Sequence, residues 1–196
     1  MKNDWTGNTM SLFTTNGDTS HGNGERHEHD YYATPKEAVR MLCEMETFDT
    51  NILEPCAGGG HVATELAAHG YDVTTNDLFD YGFECDTHVD FLTGIKSWCG
   101  DIITNPPYAL AKEFVEHALD IITDGHKVAM FMKLSFLEGK GRQRLFENTP
   151  PHFVYVSRSR LNCGKNGVFT GASAVCYCWF IWTKGFTGNP QIKWFN

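Results

Sequence analysis

No apolar run in the chain reaches the length of a membrane-spanning helix, and the opening residues MKNDWTGNTMSLFTTNG lack the apolar centre of an export signal. There is no Cys-x-x-Cys pair, and the seven cysteines are an odd number. A disulfide framework is not indicated, and reduced thiols in a cytosol are the expectation, with no metal site. The glycine cluster lacks the full GxGxxG spacing of a dinucleotide site, and no Lys-Ser/Thr pair follows it as in a polyphosphate loop. Basic side chains are scarce as well: 16 Lys and Arg stand against 24 Asp and Glu, for a formal net charge of -8. Such a balance excludes a protein that is basic all round.

What is present is unevenly placed. Residues 126–165 hold eight basic side chains and two acidic ones, a net +6 that leaves -14 for the rest. That asymmetry suits a protein that meets phosphates with one face. Residues 1–29, rich in Gly, Asn, Thr and His and without periodicity, read as a flexible extension. A chain of 196 residues then leaves one domain, 30–196, with ample core.

From Tyr31 onward, strand-like and helix-like segments alternate. TPKEAVRMLCEM predicts a helix, with Thr34 as its cap and Pro35 at the first helical position. NILEP and YDVTTND read as strands, THVDFL as the end of a third, and GDIIT as a fourth. HVATELAAHG and ALAKEFVEHALDIIT read as helices, KVAMFMKLSF as a strand covered on both faces, and GRQRLFENTPP as a short helix. HFVYVS and ASAVCYCWFIWTK are two late strands. This order predicts a doubly wound α/β fold: a mostly parallel seven-stranded Rossmann-like sheet whose last strand is antiparallel.

On such a sheet, ligands sit beyond the carboxyl ends of the strands. Two motifs fall there. The first is Glu54-Pro55-Cys56-Ala57-Gly58-Gly59-Gly60, a turn in which glycines let the backbone approach a ligand at a helix start. Asp77 lies 23 residues after Glu54, where an α/β nucleotide site places its ribose acceptor. With no polyphosphate loop, a nucleoside ligand such as S-adenosylmethionine fits. Glu54 and the turn, Cys56, Ala57, Gly58 and Gly60 included, would face its amino-acid half. Asp77 would take the ribose, and Asp90 and Phe91 the adenine, although Asp90 also suits an ordinary turn.

The second motif is Asn105-Pro106-Pro107-Tyr108. Prolines cannot donate to a ladder, so the strand stops there. An exocyclic amine on an aromatic ring is a poor nucleophile because its lone pair is delocalised. Two acceptors aimed at its hydrogens, the Asn105 side-chain carbonyl and the Pro106 backbone carbonyl, would free that lone pair. Pro107 stiffens the corner, and Tyr108 offers a ring on which a substrate can stack.

NPPY, LEPCAGGG and the upstream YYATP, in this order, resemble the motifs of amino-group DNA methyltransferases of the adenine-N6 type. The similarity spans about residues 30 to 135, and KLSFLEGKGRQRLFENTPPHFVYVSRSRL and CYCWFIWTKG resemble small phage and prophage members. The resemblance implies S-adenosylmethionine-dependent methylation of a flipped adenine in double-stranded DNA, in a bacterial or phage-infected host cytosol, as in restriction-modification. It places Tyr32 and Thr34 with Gly58 and Gly60 at the cofactor's methionine end, and Asn105 between cofactor and target. Larger members carry a long target-recognition region, whereas here only a basic insertion within about 138–173 is spare. Lys140, Arg142, Arg144, Arg158, Arg160 and Lys165 are the expected phosphate contacts. The alternatives are adenine in RNA, a protein glutamine amide, or a non-catalytic nucleic-acid-binding module on the same fold.

Overall fold

The computed structural model describes residues 31–165, 167–169 and 175–195. The expected extension at 1–29 and part of the glycine-rich segment therefore lie outside the described residues. Two short strands, β1 (Tyr32–Ala33) and β7 (Gly164–Lys165), pair antiparallel. Seven others form one sheet: β2 (Asn51–Glu54), β3 (Asp72–Thr75), β4 (Asp101–Thr104), β5 (Lys127–Lys133), β6 (Phe153–Ser157), β8 (Tyr177–Thr183) and β9 (Gln191–Phe195). Their order is β3-β2-β4-β5-β8-β6-β9. Only β8 runs against its neighbours, β5 and β6; the remaining pairings are parallel.

The seven-stranded, mostly parallel sheet agrees with the sequence, but two strands differ from expectation. The antiparallel strand is indeed the one carrying CYCWFIWT, yet it is not the last. β9 follows it and pairs parallel with β6 at the sheet edge. The third strand expected at THVDFL shrinks to a single bridge, Asn76 with Thr87. The Asn76 side chain takes over the ladder's work: its Oδ1 accepts from Val89 N and Thr87 Oγ1, and its Nδ2 donates to the Val89 carbonyl. With those backbone groups satisfied locally, the chain turns into a short helix, α3 (Phe91–Gly94).

Strand periodicity divides the core between two layers. Ile102, Val128, Met130, Met132, Cys178, Phe180 and Trp182 point to one face, against Phe114, Val115 and Ala118 of helix α4 (Ala111–Ile121). Ile103, Ala129, Phe131, Trp179 and Ile181 point to the other, against α1 (Lys36–Met45) and α2 (His61–Ala68). Both faces are covered, which is why KVAMFM and YCWFIW read as unbroken apolar runs. The Trp179 and Trp182 indoles find acceptors in the Ala38 and Thr149 carbonyls, so burial leaves no orphaned donor there. A further helix, α5 (Gln143–Asn148), precedes β6. Among the described residues no helix is long and apolar enough to cross a membrane.

Candidate active site

β3 and β4 flank β2, so the chain order reverses at β2 and a crevice opens beyond the strand ends. A cavity of about 330 Å³ lies there. It is walled by the segments that leave β2, β3 and β4 and by the β1 segment.

The glycine turn is held from three sides. Gly58 and Gly60 have φ of 54° and 75°, the left-handed region that a side chain disfavours. A Cβ on Gly60 would stand 2.2 Å from the Phe83 ring, and one on Gly58 2.3 Å from the Tyr31 ring. Asp77 accepts from Gly58 N at 2.8 Å and from Phe79 N at 2.9 Å. The Tyr31 hydroxyl accepts from Gly59 N at 2.9 Å and lies 3.2 Å from His61 Nδ1. Gly58 and Gly60 thus shape the turn, while Cys56 and Ala57 line the cavity itself.

The cavity is acidic. Glu54, Asp77 and Asp90 line it, and no Lys or Arg does among the described residues. Glu54 is 1% exposed, and its Oε2 has no hydrogen-bond partner among the described residues. Burial pushes its carboxyl well above the usual range; a hydrogen bond from the Ala63 backbone opposes this and the Asp77 carboxylate adds to it. An orphaned buried acceptor in an acidic cavity fits a cationic group and repels phosphate. A sulfonium cofactor with an ammonium group meets that requirement. Asp90 does two jobs: it lines the cavity, and its Oδ1 caps α3 by accepting from Leu92 N at 2.9 Å. Phe91, 2% exposed, is fixed against Phe114 and forms part of the wall.

Asn105, Pro106 and Pro107 reach the same cavity from the end of β4. The Asn105 Nδ2 donates to the Tyr32 carbonyl at 2.7 Å and to Thr34 Oγ1 at 3.1 Å. A backbone carbonyl can only accept, so these bonds fix which end of the amide is nitrogen. The side-chain oxygen is left as the acceptor end of a residue that lines the cavity. Thr34 does not cap α1 as expected. Pro35 occupies the N-cap, where its ring has no polar atom to offer, and the Thr34 hydroxyl accepts from Asn105 instead. Tyr108 does not line the main cavity. Its ring stacks on Tyr32, centroids 5.6 Å apart, and packs on Tyr177. It borders a second, smaller cavity instead.

The expected phosphate contacts divide. Lys140, Arg144, Arg158 and Arg160 are exposed. Arg142 has an internal task, since its guanidinium donates to the carbonyls of Ser135, Phe136 and Glu138 and lies over the Phe136 ring. The backbone of Lys165 pairs with Tyr32, which ties the basic segment to the strand that orients Asn105. Sequence reasoning missed Tyr31, His61, Leu78, Phe79, Tyr81 and Leu110 in the wall. The aromatic cluster LFDY directly after Asp77 was the available signal.

No family model and no curated protein sequence matches the chain. Solved structures do. A chain from Listeria monocytogenes assigned as a class I S-adenosylmethionine-dependent methyltransferase superposes with a TM-score of 0.59 at 12% identity, over 89% of this chain and 67% of that one. An assigned RNA methyltransferase from Pyrococcus horikoshii gives 0.59 at 12%, over 82% and 90%. The type IIG restriction endonuclease BpuSI gives 0.57 at 17%, over 83% of this chain but only 26% of its own length. Together with the strand order and the site beyond β2, these likenesses show that the chain has the Rossmann-like fold of class I S-adenosylmethionine-dependent methyltransferases.

Proposed function

We propose that the chain methylates the exocyclic N6 amine of adenine in DNA, using S-adenosylmethionine. The observation that carries this is the anchoring of Asn105: its nitrogen is spent on two acceptors of the β1 segment, and the residue lines the cavity with Pro106 and Pro107, which leaves its oxygen as the acceptor end. That oxygen and the Pro106 carbonyl form a pair of acceptors for the two hydrogens of one planar amine. Accepting both hydrogens localises the nitrogen lone pair, and no strong base is required before attack. S-adenosylmethionine, when bound, supplies an electrophilic methyl on a sulfonium. Glu54 and Asp77 would hold its charged and ribose ends, and Asp90 and Phe91 its adenine. A base inside a duplex must be swung out to reach Asn105, which costs a few kcal/mol and needs grip on the flanking strand. Lys140, Arg144, Arg158 and Arg160, all exposed, would supply that grip together with Lys165. A non-catalytic module would have no use for an amide held in one orientation.

The test is label transfer from methyl-labelled cofactor to duplex DNA, with wild type and Asn105→Ala compared. Transfer by the wild type and a loss of at least about 100-fold in the variant are expected, as for removal of a preorganised acceptor. Label on protein would instead identify a glutamine amide as the acceptor, and label on RNA alone would change the nucleic acid. Absence from every acceptor would sink the enzyme assignment. Sequencing that detects modified bases would then report the base and its context.

A further inference from the structure

The second cavity, about 120 Å³, is lined by Tyr108, the last residue of the corner whose Asn105, Pro106 and Pro107 line the acidic one. It is lined by Tyr108, Lys133, Ser135 and Arg142 over a floor of Ala111, Met132 and Phe136, with no Asp or Glu among the described residues. Lys133 ends β5 and is half-buried; its ammonium stands 5.3 Å from the centroid of the Tyr108 ring. No carboxylate among the described residues lies within ion-pair distance of it. The Arg142 guanidinium, clamped on three carbonyls, adds a second fixed positive charge to the same wall. A half-buried ammonium without a counter-ion, next to a second cation and a hydroxyl, is an anion site.

The two cavities therefore share one corner and differ in sign. The acidic one suits a cation and the basic one an anion. We infer that the second cavity receives a backbone phosphate of the nucleotide whose base enters the Asn105–Tyr108 corner, with Lys133 as the positioning residue. This rests on the nucleic-acid assignment above and deepens it, because a glutamine amide in a peptide brings no phosphate. A cation beside the ring would fix the sugar-phosphate of the extruded nucleotide while the ring is gripped by its amine. Lys133 is one of the eight basic residues of the 126–165 segment but was not among the expected phosphate contacts, because it ends an apolar strand.

Equilibrium binding to a duplex oligonucleotide, read by fluorescence anisotropy over a salt series, tests this without relying on methyl transfer. Lys133→Gln should weaken binding about 10-fold, as expected for one charge-assisted contact. It should also reduce the slope of log K against log salt by about 0.9, the value for one phosphate. Lys133→Arg should restore the slope. In wild type, a neutral methylphosphonate at one position next to the target adenine should reproduce the loss, and in Lys133→Gln it should add nothing. If methylphosphonates at every flanking position leave wild-type affinity unchanged, the phosphate site is wrong even should Lys133→Gln fold poorly. Methyl transfer to DNA with an unaltered Lys133→Gln slope would overturn the site and leave the amine chemistry standing. Absence of both binding and transfer would overturn both.

Discussion

An amide side chain has two ends of nearly equal shape, and at Asn105 two acceptors on the β1 segment decide which end is the nitrogen. Thr34→Val keeps the shape and removes one of those acceptors. The Tyr32 carbonyl still holds the nitrogen, so the single-turnover rate of methyl transfer should fall by about 10-fold, the worth of one hydrogen bond. Thr34→Ser should recover most of it, and cofactor titration alongside would show whether the same hydroxyl also touches cofactor. Glu54 gives a pH-dependent prediction. Its folded pKa is raised, so the folded protein binds this proton more tightly than the unfolded chain, and stability falls as pH rises through that raised value. Glu54→Gln cannot ionise. Its melting temperature should lack that decline and exceed wild type on the alkaline side, while it loses affinity for the cationic cofactor. Wild-type affinity should rise over the same interval, because the carboxylate is the form that attracts a cation. Melting curves and cofactor titrations across pH would check both signs.

At the scale of elements, the turn between β2 and α2 is shaped by what a side chain would strike. Gly60→Ala places a methyl in left-handed backbone and into the Phe83 ring. We expect a loss of about 1–2 kcal/mol from the backbone alone, visible as a lower denaturant midpoint, with weaker cofactor binding. The same scale shows where the sequence was legible. Residues of β2, β4, β5, β6 and β8 and helices α1, α2 and α4 carry apolar periodicity that only one packing satisfies. THVDFL carries a similar pattern, yet its backbone is bonded by the Asn76 side chain, and no local signal distinguishes that from a ladder. β9 was missed because QIKWF leaves four of its five residues exposed and follows a Gly-Asn-Pro break that resembles the start of a tail.

For the whole molecule, charge separation is the governing feature. An acidic chain can still hold DNA if its few cations share one face, and affinity should then be steeply salt-dependent. Replacing Lys140, Arg144 and Arg160 by Gln, singly, should each flatten the log K against log salt line by about 0.9 where the residue meets a phosphate. Melting temperatures should stay unchanged, since all three are exposed. Arg142→Gln should behave oppositely, lowering stability, because its guanidinium holds the carbonyls of the 135–138 loop.

Sequence alone determined the fold class, the two rim motifs and most of the cavity's polar groups, because glycines, prolines and periodicity act through local backbone geometry. It did not determine that Thr34 serves Asn105 rather than α1, that Arg142 braces a loop, or that Tyr31 and His61 close on the glycine turn. The Thr34 and Tyr31 pairings join residues 28 to 71 apart and exist only once the sheet has brought both segments to its rim, while Arg142 reaches carbonyls 4 to 7 residues back, which depends on how the loop after β5 folds.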